Sequence, residues 1–259
     1  MRAYLMYIPE SYSEDTPTPL MLAFHGNGGN MDAFLNEADF RGLAESEGFV
    51  LIYPQGTVLD GEETHWNPLL PSETNKSDVD DFGFIELLLD ALSTSINLDE
   101  TRIYATGYSN GAGFVYGLAC YLNDKITAVA PVSGSMYIEM NNNCNPGQPT
   151  SVAVFNGTQD FIRPYDGFSG YLLSVEDAVG YWTGHNELTT AAAFDSFNTN
   201  GLTVERSVYS GGTNGASVAL FKVIGGDHVW FDFQIDSVPF NRLIWDFVSQ
   251  FDTNGLRQD

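Results

Sequence analysis

The chain has 259 residues, of which 43% are hydrophobic and 14% are aromatic, which is enough to build one sizeable core. Its 34 Asp and Glu outnumber its 10 Lys and Arg, so the formal net charge is −24. A surface this negative repels nucleic acid and anionic lipid, and neither is expected as a partner. No apolar run reaches the roughly 18 residues of a membrane span, so membrane insertion is not expected either.

Short apolar runs alternate with amphipathic runs along the chain. The apolar runs predict strands that are buried on both faces, as in a parallel sheet. In chain order the predicted strands are Ala3 to Ile8, Leu20 to Phe24, Val50 to Tyr53, Ile103 to Thr106, Ala128 to Val132, Val152 to Phe155 and Val218 to Ile224. The predicted helices are Met31 to Glu47, Phe82 to Ser95 after an Asp80 or Asp81 cap, Gly111 to Leu122, Val175 to Trp182, and Asn241 to Phe251.

This β-α-β-α alternation predicts an α/β fold with a mostly parallel, doubly wound sheet flanked by helices. The length favours a single catalytic domain over residues 1–259. Only residues 133–150 separate two successive predicted strands where hydrolases of this architecture often insert a lid. No large lid domain fits there, so the site is expected to be an open cleft that suits a bulky or polymeric substrate.

The segment Gly107-Tyr108-Ser109-Asn110-Gly111 has the pattern G-x-S-x-G between a predicted strand and a predicted helix. Such a turn holds its serine in a strained conformation with the hydroxyl exposed, and glycine on both sides relieves crowding against facing backbone. The alternative is a glycine-rich turn with an ordinary serine. Because a strand precedes the motif and a helix follows it, we expect Ser109 to be a nucleophile.

A serine nucleophile needs a base and an acid, which in this architecture follow it in the order acid, then histidine. Of the four histidines, only His228 follows the last predicted strand, in a loop that begins with two glycines. Asp160 stands at the carboxyl end of the strand Val152 to Phe155, and Asp166 is the alternative in the same loop. The predicted catalytic residues are therefore Ser109, Asp160 and His228.

The oxyanion of an acyl-transfer reaction needs two preorganised N–H donors. We expect one from the backbone of Asn110, at the start of the helix, and one from the loop His25-Gly26-Asn27-Gly28-Gly29. Asn27 is the preferred donor in that loop and Gly26 the alternative, with Gly26 also expected to approach the substrate. His25 precedes the serine, so it is expected to support this loop rather than to act as the base.

Three aromatic residues flank these positions: Trp66, Tyr108 and Trp230. Each is a candidate for lining a substrate groove, and each could equally belong to the core. The two cysteines, Cys120 and Cys144, have no metal-binding spacing, and either a disulfide or two free thiols is compatible with their positions.

Taken together, these segments resemble the secreted esterases known as polyhydroxybutyrate depolymerases and feruloyl or acetylxylan esterases, which belong to carbohydrate esterase family one and its relatives. The resemblance runs nearly end to end. Its motifs are Tyr7-Ile8-Pro9, Phe24-His25-Gly26, Tyr53-Pro54-Gln55-Gly56-Thr57, Trp66-Asn67, Asp78-Val79-Asp80-Asp81-Phe82-Gly83-Phe84, Gly107-Tyr108-Ser109-Asn110-Gly111, Leu118-Ala119-Cys120, Gly157-Thr158-Gln159-Asp160 and Gly225-Gly226-Asp227-His228-Val229-Trp230.

The resemblance implies an α/β-hydrolase fold, the triad of Ser109, Asp160 and His228, an exported protein and a Cys120–Cys144 bridge. We therefore expect a secreted or periplasmic serine ester hydrolase that uses no metal or other cofactor. Its expected substrates are neutral esters, either feruloyl or acetyl groups on polysaccharide or a hydroxyalkanoate or aromatic polyester. The alternatives are a catalytically silent carbohydrate- or ester-binding module and a peptidase of the same fold. The oligomeric state stays open.

Overall fold

A computed structural model describes residues 2–59, 61, 63–70 and 77–258. The strands are β1 (Tyr4–Tyr7), β2 (Thr18–Phe24), β3 (Val50–Pro54), β4 (Thr57–Leu59), β5 (Glu63–His65), β6 (Leu98–Tyr108), β7 (Ala128–Val132), β8 (Ser151–Gly157), β9 (Ala193–Thr199), β10 (Leu202–Tyr209), β11 (Val218–Ile224), β12 (Gln234–Ile235), β13 (Val238–Pro239), β14 (Phe251–Asp252) and β15 (Gly255–Leu256). The helices are α1 (Met31–Glu37), α2 (Arg41–Glu47), α3 (Asp81–Ser95), α4 (Asn110–Tyr121), α5 (Ile138–Asn143), α6 (Val175–His185) and α7 (Phe240–Val248).

Nine strands form the main sheet in the order β1-β3-β2-β6-β7-β8-β11-β10-β9. The six strands from β3 to β11 in this order are parallel, while β1 at one edge and the β9–β10 hairpin at the other pair antiparallel. The mostly parallel sheet predicted from the sequence is therefore confirmed. Since parallel strands end at one edge, the loops after β2, β6, β8 and β11 gather there.

Helices cover both faces of the sheet and produce two hydrophobic clusters. Alternate residues of β2 show the division: Leu20 and Leu22 belong to the cluster under α3, α4 and α6, and Met21 to the cluster under α1, α2 and α7. Every residue of β2 is buried. Burial on both faces explains why the strands read as continuous apolar runs rather than as alternating patterns.

The long helix predicted from Met31 to Glu47 is wrong in one respect, because the structure has two helices there. Buried Tyr53 stabilises the break between α1 and α2. Its hydroxyl donates to the carbonyl of Ala38 at 2.5 Å and accepts from the N–H of Phe40 at 3.3 Å. These bonds satisfy backbone groups that a continuous helix would have paired internally. The tertiary contact with β3 thus overrides the local helical pattern.

The β9–β10 hairpin was not predicted from the sequence. Residues of β9 are mostly exposed and polar, so this edge strand lacks the apolar signal that identifies the inner strands. Near α4, Cys120 and Cys144 form a disulfide that ties the end of α5 to the helix after Ser109. The bridge implied by the family resemblance is therefore present. None of the helices that the structure describes has the length and apolarity needed to cross a membrane.

Candidate active site

Ser109 occupies the turn between β6 and α4 with φ 56° and ψ −110°, a conformation rarely adopted by residues other than glycine. Backbone of this kind costs about 1–3 kcal/mol and persists only where its surroundings enforce it. The two glycines of the motif permit it. A Cβ on Gly107 would lie 2.6 Å from the carbonyl oxygen of Gly111, and one on Gly111 would lie 2.4 Å from that of Phe24.

The structure brings the three predicted catalytic side chains into one hydrogen-bonded line. His228 Nε2 is 2.9 Å from Ser109 Oγ, and His228 Nδ1 is 2.7 Å from Asp160 Oδ2. The residues come from the loops after β6, β8 and β11, which lie within four adjacent strands of the sheet. This is the geometry in which an imidazole can take a serine proton while a carboxylate holds it in the right tautomer.

Asp160 is buried, and both of its oxygens are occupied. Oδ1 accepts from the backbone N–H groups of Ile162 and Arg163, at 2.9 and 2.7 Å, which leaves Oδ2 for the imidazole. The alternative acid, Asp166, is exposed. Neighbouring Asp227 accepts from the backbone N–H of His228 at 2.7 Å. Asp160 is thus the carboxylate that meets the histidine ring.

Two residues from other elements fix the loop that carries His228. The Tyr108 hydroxyl donates to the carbonyl of His228 at 2.9 Å, and the two rings lie 5.0 Å apart. The Ser133 hydroxyl donates to the carbonyl of Val229 at 2.7 Å. Burial raises the pKa of the Tyr108 phenol, so its hydroxyl stays protonated and can donate. Sequence reasoning missed Ser133, which gives no signal apart from its position at the end of β7.

Both predicted oxyanion donors line the cavity that contains Ser109. The Asn110 side chain is engaged elsewhere: its Oδ1 accepts from the N–H of Trp66 at 2.8 Å and its Nδ2 donates to the carbonyl of Trp66 at 3.0 Å. The N–H of Ser109 donates to the carbonyl of Val132 at 3.0 Å and is therefore also engaged. The backbone N–H groups of Asn27 and Asn110 remain the candidates.

His25 supports the loop of Asn27, in the manner expected from its position in the sequence. Its Nε2 accepts from the N–H of Gly56 at 3.0 Å, so its Nδ1 carries the proton and donates to the carbonyl of Gly26 at 2.7 Å. Burial lowers the pKa of His25, which favours this neutral form. Because a peptide is planar and trans, fixing the Gly26 carbonyl also fixes the opposed N–H of Asn27.

The cavity beside Ser109 has a volume of about 340 Å³. It is lined by Asn27, His65, Ser109, Asn110, Tyr137, Ile162, Arg163, Phe168, Tyr171 and Leu172. Half of these residues belong to residues 162–172, in the loop after β8. The site expected to be an open cleft is therefore a pocket with a wall from this loop, although no large lid lies over it among the described residues. Among the lining residues, Ile162 and Phe168 are exposed apolar side chains.

Trp66 and Trp230, two of the candidates for lining a groove, lie in the hydrophobic clusters and are absent from the lining of the cavity beside Ser109. Trp66 is fully buried and packs on Phe24 and Phe114, at ring-centroid distances of 5.1 and 5.2 Å, with its Nε1 donating to the carbonyl of His25. Trp230 packs on Phe34 and Phe240 in the other hydrophobic cluster. Large aromatic surfaces gain most from complete burial, and these two rings are used for packing.

The remaining two predicted contact residues, Gly26 and Tyr108, lie beside Ser109. A Cβ on Gly26 would be 3.0 Å from the Tyr108 ring and 3.4 Å from the Ser109 Cβ. Gly26 therefore allows its backbone to approach the nucleophile. Tyr108 contacts His228, as described above, and is absent from the cavity lining. No group of three or more His, Cys, Asp or Glu residues in the described parts of the chain is placed to hold a metal ion.

Comparison with solved structures identifies the fold as that of the α/β-hydrolases. An acetyl xylan esterase from Aspergillus awamori superposes with a TM-score of 0.68 at 13% identity, over 95% of this chain and 93% of that one. The sequence model of the Esterase PHB depolymerase family matches residues 2–146, more than half of the chain. The chain belongs to this family.

Two similar relatives carry named activities. Feruloyl esterase B of Piromyces equi is 25% identical over 96% of this chain and 45% of its own length. The bifunctional acetylxylan esterase/xylanase XynS20E of Neocallimastix patriciarum is also 25% identical, over 96% of this chain and 33% of its own length. The chain thus spans less than half the length of these two relatives.

Proposed function

We propose that this chain is a serine carboxylic ester hydrolase, with Ser109 as nucleophile, His228 as base and Asp160 as the orienting carboxylate. The observation that carries the proposal is the hydrogen-bonded line of 2.9 and 2.7 Å through the imidazole. The strained backbone of Ser109 supports it, because strain of this kind accumulates at functional sites. Residues 1–259 are proposed to form one catalytic domain.

In this mechanism Ser109 Oγ attacks the ester carbonyl carbon while His228 Nε2 takes the hydroxyl proton. The backbone N–H groups of Asn27 and Asn110 stabilise the oxyanion. The bond to the alcohol oxygen then breaks, and His228 gives its proton to the leaving alcohol. Water attacks the acyl-enzyme by the reverse route, which releases the carboxylic acid and restores the serine.

The proposed substrates are feruloyl or acetyl esters of polysaccharide, or a hydroxyalkanoate polyester. Support comes from the family, and from relatives named feruloyl esterase and acetylxylan esterase. The exposed apolar side chains of Ile162 and Phe168 in the cavity lining suit an aryl acyl group or a polyester chain. Location outside the cytoplasm, secreted or periplasmic, is proposed because disulfides such as Cys120–Cys144 persist in oxidising compartments.

Hydrolysis of p-nitrophenyl butyrate tests the proposal. The wild-type protein is expected to turn over this ester, and Ser109→Ala is expected to lower kcat by roughly 10⁴-fold or more, because the nucleophile is lost. The matched control is Ser93→Ala, which removes the hydroxyl of an exposed serine on α3. It is expected to retain full activity.

A panel of methyl ferulate, acetylated xylan and hydroxybutyrate oligomers then ranks the substrate classes. Full activity in Ser109→Ala would refute the assignment of the nucleophile. Absence of turnover by the wild-type protein on every ester would favour the alternative of a silent binding module.

A further inference from the structure

Arg163 is the only Lys or Arg among the described residues that line the cavity beside Ser109. Its backbone N–H is held by Asp160 Oδ1, which fixes the residue immediately next to the catalytic centre. Its side chain reaches the wall formed by Tyr137, where Nη1 donates to the phenol oxygen at 3.2 Å. The guanidinium carbon lies 5.6 Å from the centroid of the same ring.

Arg163 differs from most other described cationic side chains because no described carboxylate oxygen lies within 4.0 Å of its guanidinium nitrogens. In the described parts of the chain, carboxylate oxygens lie within 4.0 Å of seven other cationic side chains, those of Arg2, Arg41, Arg102, Lys125, Arg206, Lys222 and Arg242. No described carboxylate lies within that distance of Arg163. Asp160 is the nearest acid before Arg163 in the loop. Its carboxylate oxygens already accept hydrogen bonds from His228 and from two backbone N–H groups.

A chain of net charge −24 has ample carboxylates with which to pair a structural arginine. Arg163 is only partly exposed, and its described side-chain partners are the phenols of Tyr137 and Tyr171, which leave part of its five N–H donors for a ligand. Guanidinium groups bind carboxylates through two parallel hydrogen bonds, and they retain their charge at every working pH. Arg163 thus offers an anion-binding group inside the substrate cavity.

We propose that Arg163 determines specificity by binding a free carboxylate on an ester whose scissile bond lies at Ser109. The inference rests on the proposed ester hydrolysis and narrows its substrate class to esters that carry a second, ionised acid group. A cavity of about 340 Å³ is at the small end of ligand pockets, so one short molecule can contact both residues. These esters differ from the neutral ones that the overall negative charge of the protein favours.

Two kinds of substrate carry both an ester and a free carboxylate, and they differ in the side of the ester bond on which the carboxylate lies. In a hemiester of a dicarboxylic acid it belongs to the acyl part. In the acid end of a short hydroxyalkanoate polyester it belongs to the alcohol part. The first arm of the experiment uses monomethyl succinate, glutarate and adipate. The second arm uses the hydroxybutyrate dimer, and every substrate is compared with its carboxamide, which has the same shape but no charge.

The measured quantity is the ratio of kcat/KM for each carboxylate to that for its carboxamide, at about 0.15 M salt to screen the surface charge. Arg163→Gln is expected to lower this ratio by about 10- to 100-fold in at least one arm, because charge-assisted hydrogen bonds are lost. The control is Arg102→Gln, which lies on β6 outside the cavity lining and is paired with Asp99. It makes the same change in net charge and is expected to leave the ratio unchanged.

A merely structural role for Arg163, such as holding Tyr137, would lower the rates for carboxylates and carboxamides together. An unchanged ratio in Arg163→Gln therefore overturns the inference, as does a wild-type protein that cleaves carboxamides but no carboxylates. Either result leaves the ester hydrolase intact.

Calorimetric binding of monomethyl adipate and methyl adipamate to Ser109→Ala supplies a readout that needs neither turnover nor a folded Arg163 variant. Tighter binding of the carboxylate by about 10-fold or more supports the inference, and equal binding contradicts it. If the wild-type protein cleaves no ester at all, the proposed function fails while this binding comparison still decides the role of Arg163.

Discussion

At the scale of single residues, the site depends on side chains that hold other side chains. Asp160 orients His228, and Tyr108 and Ser133 hold the carbonyls of the loop that carries the histidine. His25 holds the carbonyl of Gly26, and through it the N–H of Asn27, which is the proposed oxyanion donor. Catalytic geometry has to be kept within fractions of an ångström, so these supports are as specific as the groups they position.

Replacement of His25 by glutamine tests its supporting role. His25→Gln is expected to lower kcat by about 10- to 100-fold, because the Asn27 N–H is no longer held in place. The KM is expected to change less than kcat, since the oxyanion develops only in the transition state. Steady-state kinetics with p-nitrophenyl butyrate measure both constants. A variant with wild-type kcat would show that the hydrogen bonds of His25 do not position the N–H of Asn27.

The same histidine makes stability depend on pH. Burial lowers the pKa of His25 in the folded state below its unfolded value of about 6.5. The unfolded chain therefore binds the proton more readily, so the contribution of His25 is complete above pH ~6.5 and is lost as the pH falls through the lowered pKa. The Tm of the wild-type protein is expected to fall over this range more steeply than that of His25→Gln. Parallel Tm curves would contradict this assignment.

At the scale of elements, the turn from β6 to α4 shows how close packing dictates sequence. Gly111, the second residue of α4, lies directly against the carbonyls of Phe24 and His25, at the end of β2. Two backbones this near each other leave no space for a side chain. The same contact brings the loop after β2 close to Ser109, so the packing of α4 on β2 also brings the parts of the proposed site together.

A pair of glycine-to-alanine substitutions separates the steric effect of a side chain at Gly111 from the effect of helix propensity. Gly111→Ala is expected to lower the free energy of unfolding by about 1–3 kcal/mol, because its Cβ would meet Phe24 O at 2.4 Å. Gly180→Ala in α6 is the control, since a Cβ there meets nothing within 4 Å. It is expected to raise that free energy by about 0.5–1 kcal/mol. Urea unfolding measures both, and equal effects would refute the steric explanation.

The Cys120–Cys144 disulfide closes a loop across a sequence separation of 24 residues between α4 and the end of α5. The double variant Cys120→Ser, Cys144→Ser is expected to unfold with a free energy lower by about 3–4 kcal/mol, from the loop-closure entropy regained by the unfolded chain. Denaturant curves of the wild-type protein with and without reducing agent provide an independent comparison. Coincident curves would mean that the bridge adds no stability.

At the scale of the whole molecule, the dominant feature is a net charge of −24 on a 28.4 kDa chain. Mutual repulsion of the carboxylates favours the expanded unfolded chain, and salt screens it because the Debye length falls to about 10 Å at 0.1 M. The Tm is therefore expected to rise between about 0.02 and 0.5 M NaCl at pH 7. A Tm that is independent of salt would show that the acidic surface does not destabilise the fold.

The sequence by itself determined the inner strands, their parallel arrangement and the turn that carries Ser109. Burial on both faces requires continuous apolar runs, and close backbone contact requires glycine, so both features are visible in the local sequence. It also predicted which aspartate and histidine would meet Ser109, since parallel strands bring their loops to one edge. The family resemblance implied the disulfide that the structure contains.

Only the tertiary structure decided the features that depend on contacts between distant segments. Tyr53 divides the first predicted helix in two, and Trp66 and Trp230 turn inward, because neighbouring elements provide hydrogen bonds and apolar surface that no local pattern encodes. The wall of the cavity and the position of Arg163 within it likewise depend on how the loop after β8 folds back against Tyr137. The local hydrophobic pattern of a segment shows which of its residues are buried. The residues they pack against are determined only when the sheet and helices assemble.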